Sequence, residues 1–186
     1  MSILKYEDRT PRNIQKMYEY MIDSNKTDDR GIFGLGVNPY NAANEMLLVQ
    51  FAHGKPYLPH EYVQVIFAFD VGITLDIEVI REICIKIGSV LVIDERQVFG
   101  AIHYLNTDKI HCHYMINYVG IDGSLHRQGY SVYHYRDLVN GILQEHGLNP
   151  VGSISQNKDE WEGDEYYDEF EDYNLSTEYD DFFDEY

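Results

Sequence analysis

Residues 103–117 read H-Y-L-N-T-D-K-I-H-C-H-Y-M-I-N, and the triplet His111-Cys112-His113 inside them governs how the rest of the chain is read. On a β-strand, side chains at i and i+2 share a face. Two imidazoles therefore project to one side, while Cys112 projects to the other. Extended over residues 110–119, the alternation puts Ile110, Cys112, Tyr114, Ile116 and Tyr118 on one face and His111, His113, Met115, Asn117 and Val119 on its opposite. The first set is apolar enough to pack against helices; the second presents two histidines and an amide. Residues 98–105 form a second strand, on which His103 shares a face with Phe99, Ala101 and Leu105. The connection between the two strands is short, so they pair antiparallel, and His103 joins the cluster. Three neutral imidazoles bind a divalent ion and leave coordination positions open, the pattern of a catalytic rather than a closed structural site. Asp108, between the histidines, is a candidate catalytic carboxylate that orients a ligand histidine through its second ring nitrogen.

Working outward, residues 62–70 (Y-V-Q-V-I-F-A-F-D) are apolar at nearly every position, which predicts a central strand buried on both faces. Residues 10–22 predict a helix capped by Thr10 with Pro11 in its first turn; Ile14, Met17, Tyr18 and Met21 form its buried stripe at 3.6 periodicity. Residues 24–36, with Gly31, Gly34 and Gly36, read as a loop, and Asn38-Pro39 opens a second helix running to about Phe51. A third helix spans residues 75–91 from a cap at Thr74. The Asp122-Gly123 pair marks a turn, and residues 134–146 form a closing helix stopped by Gly147. This order predicts an α+β fold, a mainly antiparallel sheet with helices packed on one face.

Composition divides the chain. Of the formal charge of −18, residues 157–186 carry −13, from fourteen Asp and Glu against Lys158 alone. The expected organisation is a domain over residues 1–150 and, over 151–186, a linker and a disordered acidic tail. That tail interleaves its acids with Trp161, Tyr166, Tyr167, Phe170, Tyr173, Tyr179, Phe182, Phe183 and Tyr186. A sharper expectation is that it mimics nucleic acid, acids for phosphates and aromatics for bases. Residues 1–156, at −5, lack the broad basic surface of a strong non-specific DNA binder. No apolar run is long enough for a membrane span, and the first ten residues lack the apolar core of a signal peptide. Two cysteines, Cys84 and Cys112, fit a reducing cytoplasm.

The ordered motifs resemble those of the relaxases, the mobilisation nucleases of plasmids and integrative elements, which belong to the histidine–hydrophobic–histidine (HUH) endonucleases. Ala101, His103, Asp108, His111, His113, Asn117, Asp122 and Gly123 follow the family's metal motif. The segment R-D-L-V-N-G-I-L-Q-E-H-G-L, from Arg136, is similar to its next helix. Upstream, the segment from Tyr20 to Lys26 and Thr27 is similar to the family's Y-I-x-N-P-E-K-T, and Gly36-Val37-Asn38 to its G-x-N element. The span from His103 to His111 carries one residue more than that pattern. A one-residue slip turns a strand side chain over, so His103 keeps its face only where a bulge absorbs the excess. The family's middle histidine is Lys109 here.

The resemblance implies a site- and strand-specific nick in single-stranded DNA at an origin of transfer. The nucleophile would be a tyrosine, assisted by a histidine-bound divalent metal, Mn or Mg, with accessory mobilisation proteins as further partners. Tyr18 lies on the buried stripe, whereas Tyr20 stands about 110° from its centre at 100° per residue and is also the family-matched position. Lys26, Asn117 and Arg127 are the leading DNA contacts, with Lys109 and Arg136 as further phosphate candidates and Tyr130, Tyr133 and Tyr135 as base-stacking candidates. The alternatives are a catalytically idle relaxase-like DNA-binding or regulatory protein and a rolling-circle replication initiator of the same architecture.

Overall fold

The computed structural model describes residues 2–7, 13–56, 58–92, 94–127 and 131–153. Six strands form one mixed sheet in the order β2-β4-β5-β3-β1-β6: β1 (Ser2–Glu7), β2 (Ile32–Leu35), β3 (Tyr62–Ala68), β4 (Val98–His103), β5 (His111–Asn117) and β6 (Val151–Ser153). Every pairing is antiparallel except β1 with β6. Four helices, α1 (Ile14–Met21), α2 (Ala42–Ala52), α3 (Ile77–Val90) and α4 (Val132–Glu145), complete the α+β fold.

The central strands form for the reason their composition predicts. All seven residues of β3 and all seven of β5 are buried, as apolar runs covered on both faces should be. On one face, Val63, Val65, Phe67, Ile102, Cys112, Tyr114 and Ile116 meet Ile80, Ile83, Cys84 and Ile87 of α3 and Tyr135, Val139 and Leu143 of α4. The buried Tyr114 hydroxyl donates to the Cys84 carbonyl at 3.0 Å, which offsets its loss of water. Gly100 sits opposite Phe33 of β2, and the phenyl ring occupies the space a Cβ would need.

The expectation of helices on one face holds for α3 and α4. The opposite, histidine-bearing face carries α1 and α2: Tyr18 packs on Phe99 with ring centroids 5.1 Å apart, and Asn117 donates to the Met46 carbonyl of α2. The buried residues of α1 are Ile14, Met17, Tyr18 and Met21, the expected stripe. Asn13 caps this helix, accepting from the Lys16 amide at 2.9 Å; Thr10 and Pro11 lie outside the described residues. The third helix begins with Asp76 as its cap, rather than Thr74.

Three strands correct the sequence reading. Residues 2–7 had no assignment, residues 32–35 fell inside the expected loop, and residues 151–153 fell in the expected linker. β6 adds to the sheet beside β1, so the sheet extends past residue 150 into the expected linker. The acidic tail lies outside the described residues. No helix among them is long and apolar enough to cross a membrane.

Candidate active site

β4 and β5 pair in unbroken register from Val98↔Ile116 to His103↔His111, with Ala101 opposite His113. His103, His111 and His113 therefore share one face. The extra residue between His103 and His111 is absorbed by the loop after β4, where Asn106 takes a positive φ of 54°, a conformation asparagine tolerates. Its side chain ties the loop down by donating to the Asn25 carbonyl at 2.9 Å.

The three histidines are buried, each less than 5 % exposed. Their ring centroids lie 4.6–5.1 Å apart, and one nitrogen from each falls within 4.8 Å of the others. Their outer nitrogens are engaged. His103 Nε2 faces the Met21 carbonyl at 3.1 Å, and His111 Nδ1 faces the Lys109 carbonyl at 2.9 Å. A carbonyl only accepts, so those nitrogens carry the protons. Nδ1 of His103 and Nε2 of His111 thus hold the lone pairs a metal needs. Met21 closes α1, and its carbonyl is one of those a helix C-terminus leaves without an intrahelical partner. His113 Nδ1 meets the Gln64 amide at 3.1 Å. The donor set is three imidazoles with no carboxylate, which fits a first-row divalent ion.

Tyr20, off the apolar stripe as expected, stands beside this cluster. Its ring centroid lies 5.5 Å from those of His103 and His113, edge-on to each. Lys26 Nζ sits 3.7 Å from the Tyr20 ring centroid, a cation–π contact. The loop carrying Lys26 is fixed by the strand end, since the amides of Tyr104 and Leu105 both donate to the Lys26 carbonyl at 3.0 Å. In the same loop, Asp28 is held at a pKa of about 2, chiefly by its hydrogen bond from Arg30 and then by Tyr104. Burial lowers the pKa of Lys109, opposed by the nearby charge of Asp70.

The other expected residues are placed differently. Asp108 is exposed, and the outer histidine nitrogens meet Met21, Lys109 and Gln64 instead. Asn117 is fully buried, four residues or about 13 Å along β5 from His113, and hydrogen-bonds Gln50, Gln97, the Met46 carbonyl and the Val119 amide. Its side chain is buried and committed to these four partners. Arg127 is exposed, just past the Val119↔Leu125 bridge at the end of β5 away from His111. Tyr135 belongs to the core; Tyr133 is exposed with Arg136 over its ring at 5.4 Å. Tyr130 lies outside the described residues.

Sequence reasoning missed Gln64, whose period-2 relation to Ile66 and thence to His113 was the available signal. It also missed Lys5, which pairs with Ile66 on the histidine face.

A strand-borne histidine triad beside a helix-borne tyrosine defines a class, a candidate metal-assisted tyrosine site on a sheet. The relaxase family profile described as MobA/VirD2-like, nuclease domain, matches residues 20–148, and the chain belongs to that family. A solved structure described as "Molecular Basis of Vancomycin Resistance Transfer in Staphylococcus aureus" is similar at 12% identity and a TM-score of 0.49, covering 83% of this chain and 98% of that one. No curated protein matches the sequence.

Proposed function

We propose that this domain nicks one strand of DNA at an origin of transfer, presented to it in single-stranded form, and that Tyr20 is the nucleophile. The observation that carries the proposal is the Tyr20 ring standing edge-on to two of the three clustered histidines with Lys26 against its face. Membership of the relaxase nuclease family supports the substrate class.

His103, His111 and His113 would hold a divalent ion, Mn rather than Mg for an all-imidazole donor set, and such an ion would polarise the scissile phosphate and stabilise charge on its oxygens. Tyr20 Oη attacks phosphorus. A bond forms between the phenolic oxygen and phosphorus, and the bond from phosphorus to the 3′ oxygen breaks. The phenol gives up its proton and the departing 3′ oxygen gains one. The product is a 5′-phosphotyrosine and a free 3′ hydroxyl, and the covalent link keeps the phosphodiester energy for rejoining. Lys26 holds the ring and places positive charge where the phenol loses its proton. Lys5, buried on the same face two strands from His113, adds a second positive charge there.

The test is to incubate the protein with manganese and a single-stranded origin oligonucleotide and to look for a denaturant-resistant protein–DNA adduct. The adduct should form with the wild type and disappear in Tyr20→Phe. DNA binding without any adduct would favour a catalytically idle relaxase-like protein.

A further inference from the structure

The histidine triad has a buried neighbour that the metal motif does not include. Gln64, 4 % exposed on β3, places its amide nitrogen 3.1 Å from His113 Nδ1. Gln64 lies opposite Met115, one pleat along from the Ile66↔His113 pair, so the strand register itself aims it at the imidazole. Its two amide orientations have opposite consequences. With the amide nitrogen toward the ring, Gln64 donates to Nδ1 and leaves the imidazole proton on Nε2. With the carbonyl oxygen toward the ring, it accepts from Nδ1–H and leaves the Nε2 lone pair for the ion. A flip exchanges the two within the same space.

We propose that Gln64 is the positioning residue for His113, and that metal binding selects the orientation in which Gln64 Oε1 accepts from His113 Nδ1–H. The inference rests on the metal-site reading above. It adds that this ligand is oriented by a neutral group. His103 and His111 are held in the same way, by the Met21 and Lys109 carbonyls. In that orientation all three imidazoles would rest on uncharged acceptors, leaving the ion's charge to face the phosphate. A carboxylate at this position would make the ligand more basic and bind metal more tightly, at the cost of that charge.

Manganese titrations by calorimetry on the full chain test this, with Co2+ spectra as a second readout. Gln64→Leu should weaken Mn2+ binding by about 10–100-fold, and Gln64→Glu should tighten it relative to the wild type. Gln64→Glu should also lower nicking at saturating Mn2+, a split between affinity and turnover that a packing role would not produce. Thermal melts identify a variant that fails to fold. In that event, the His113 tautomer of the Zn2+-loaded wild type, read by nitrogen NMR, must show the proton on Nδ1. Equal Mn2+ affinity in folded Gln64→Leu and wild type would overturn the role of Gln64 alone. No Mn2+, Co2+ or Zn2+ binding by the wild type would overturn the metal site and this inference with it.

Discussion

Replacing Asn117 by leucine separates a structural reading of that residue from a DNA-binding one. The leucine fills nearly the same space but removes four side-chain hydrogen bonds. Nδ2 donates to the Met46 carbonyl at 3.1 Å and to Gln97 Oε1 at 2.9 Å; Oδ1 accepts from Gln50 Nε2 at 3.0 Å and from the Val119 amide at 3.2 Å. Gln50 Nε2 also donates to the Glu61 carbonyl at 2.7 Å, and the Met46 carbonyl sits inside a helix. The loss therefore falls mainly on Gln97 Oε1 and the Val119 amide. At about 1–3 kcal/mol for each buried group left unsatisfied, the cost is about 2–6 kcal/mol. That is a large fraction of the roughly 5–15 kcal/mol that holds a typical domain together, and the melting temperature should fall by at least about 5 °C. Urea unfolding measures the stability, and fluorescence anisotropy with a single-stranded oligonucleotide measures binding by the fraction that stays folded. Binding should change little. A stability loss below about 1 kcal/mol, together with clearly weaker DNA binding, would refute the reasoning and return Asn117 to the DNA interface.

Two further outcomes follow from the packing and the charges. Gly100→Ala drives a methyl group into the Phe33 ring and should cost about 1–3 kcal/mol in urea unfolding; in the Phe33→Leu background that cost should shrink, because the ring that blocks the methyl is gone. Asp28, depressed to about 2 by Arg30 and Tyr104, contributes stability above its unfolded value of about 3.9 that is lost as pH falls through about 2. The pair with Arg30 is largely exposed, so Asp28→Asn should cost less than about 1 kcal/mol at pH 7, and the difference in melting temperature should vanish near pH 2.

The residues that dominate burial were the readable ones. The apolar run of β3, the stripe on α1 and the alternation along β5 each state their partner faces in their own spacing, so the histidine face and the position of Tyr20 off the stripe could be deduced before any packing was known. The three missed strands share a different property. β2 has four residues and sits among Gly31, Gly34 and Gly36; β6 has three; β1 carries Lys5 inside a short run. Such segments become strands because a neighbour's edge receives them, a tertiary fact that local pattern does not carry. The same limit applies to the site. Asp108 was close to the histidines in sequence, but the groups that hold the imidazoles are a helix-end carbonyl, a loop carbonyl and an amide from another strand. Two of these are backbone atoms, which no side-chain motif can announce. The burial of Asn117 was not legible, because alternation reports the face a residue points to and is silent about what covers that face.

The central claim is that Tyr20 carries the covalent bond to DNA. It is tested most directly by trapping the adduct with manganese and an origin oligonucleotide, digesting it with trypsin and locating the modified residue by fragmentation mass spectrometry. The chain has 17 tyrosines, and Tyr18 and Tyr20 fall on one tryptic peptide, which fragmentation resolves. The account predicts a nucleotide remnant on Tyr20. A remnant on Tyr18 or any other tyrosine would contradict it.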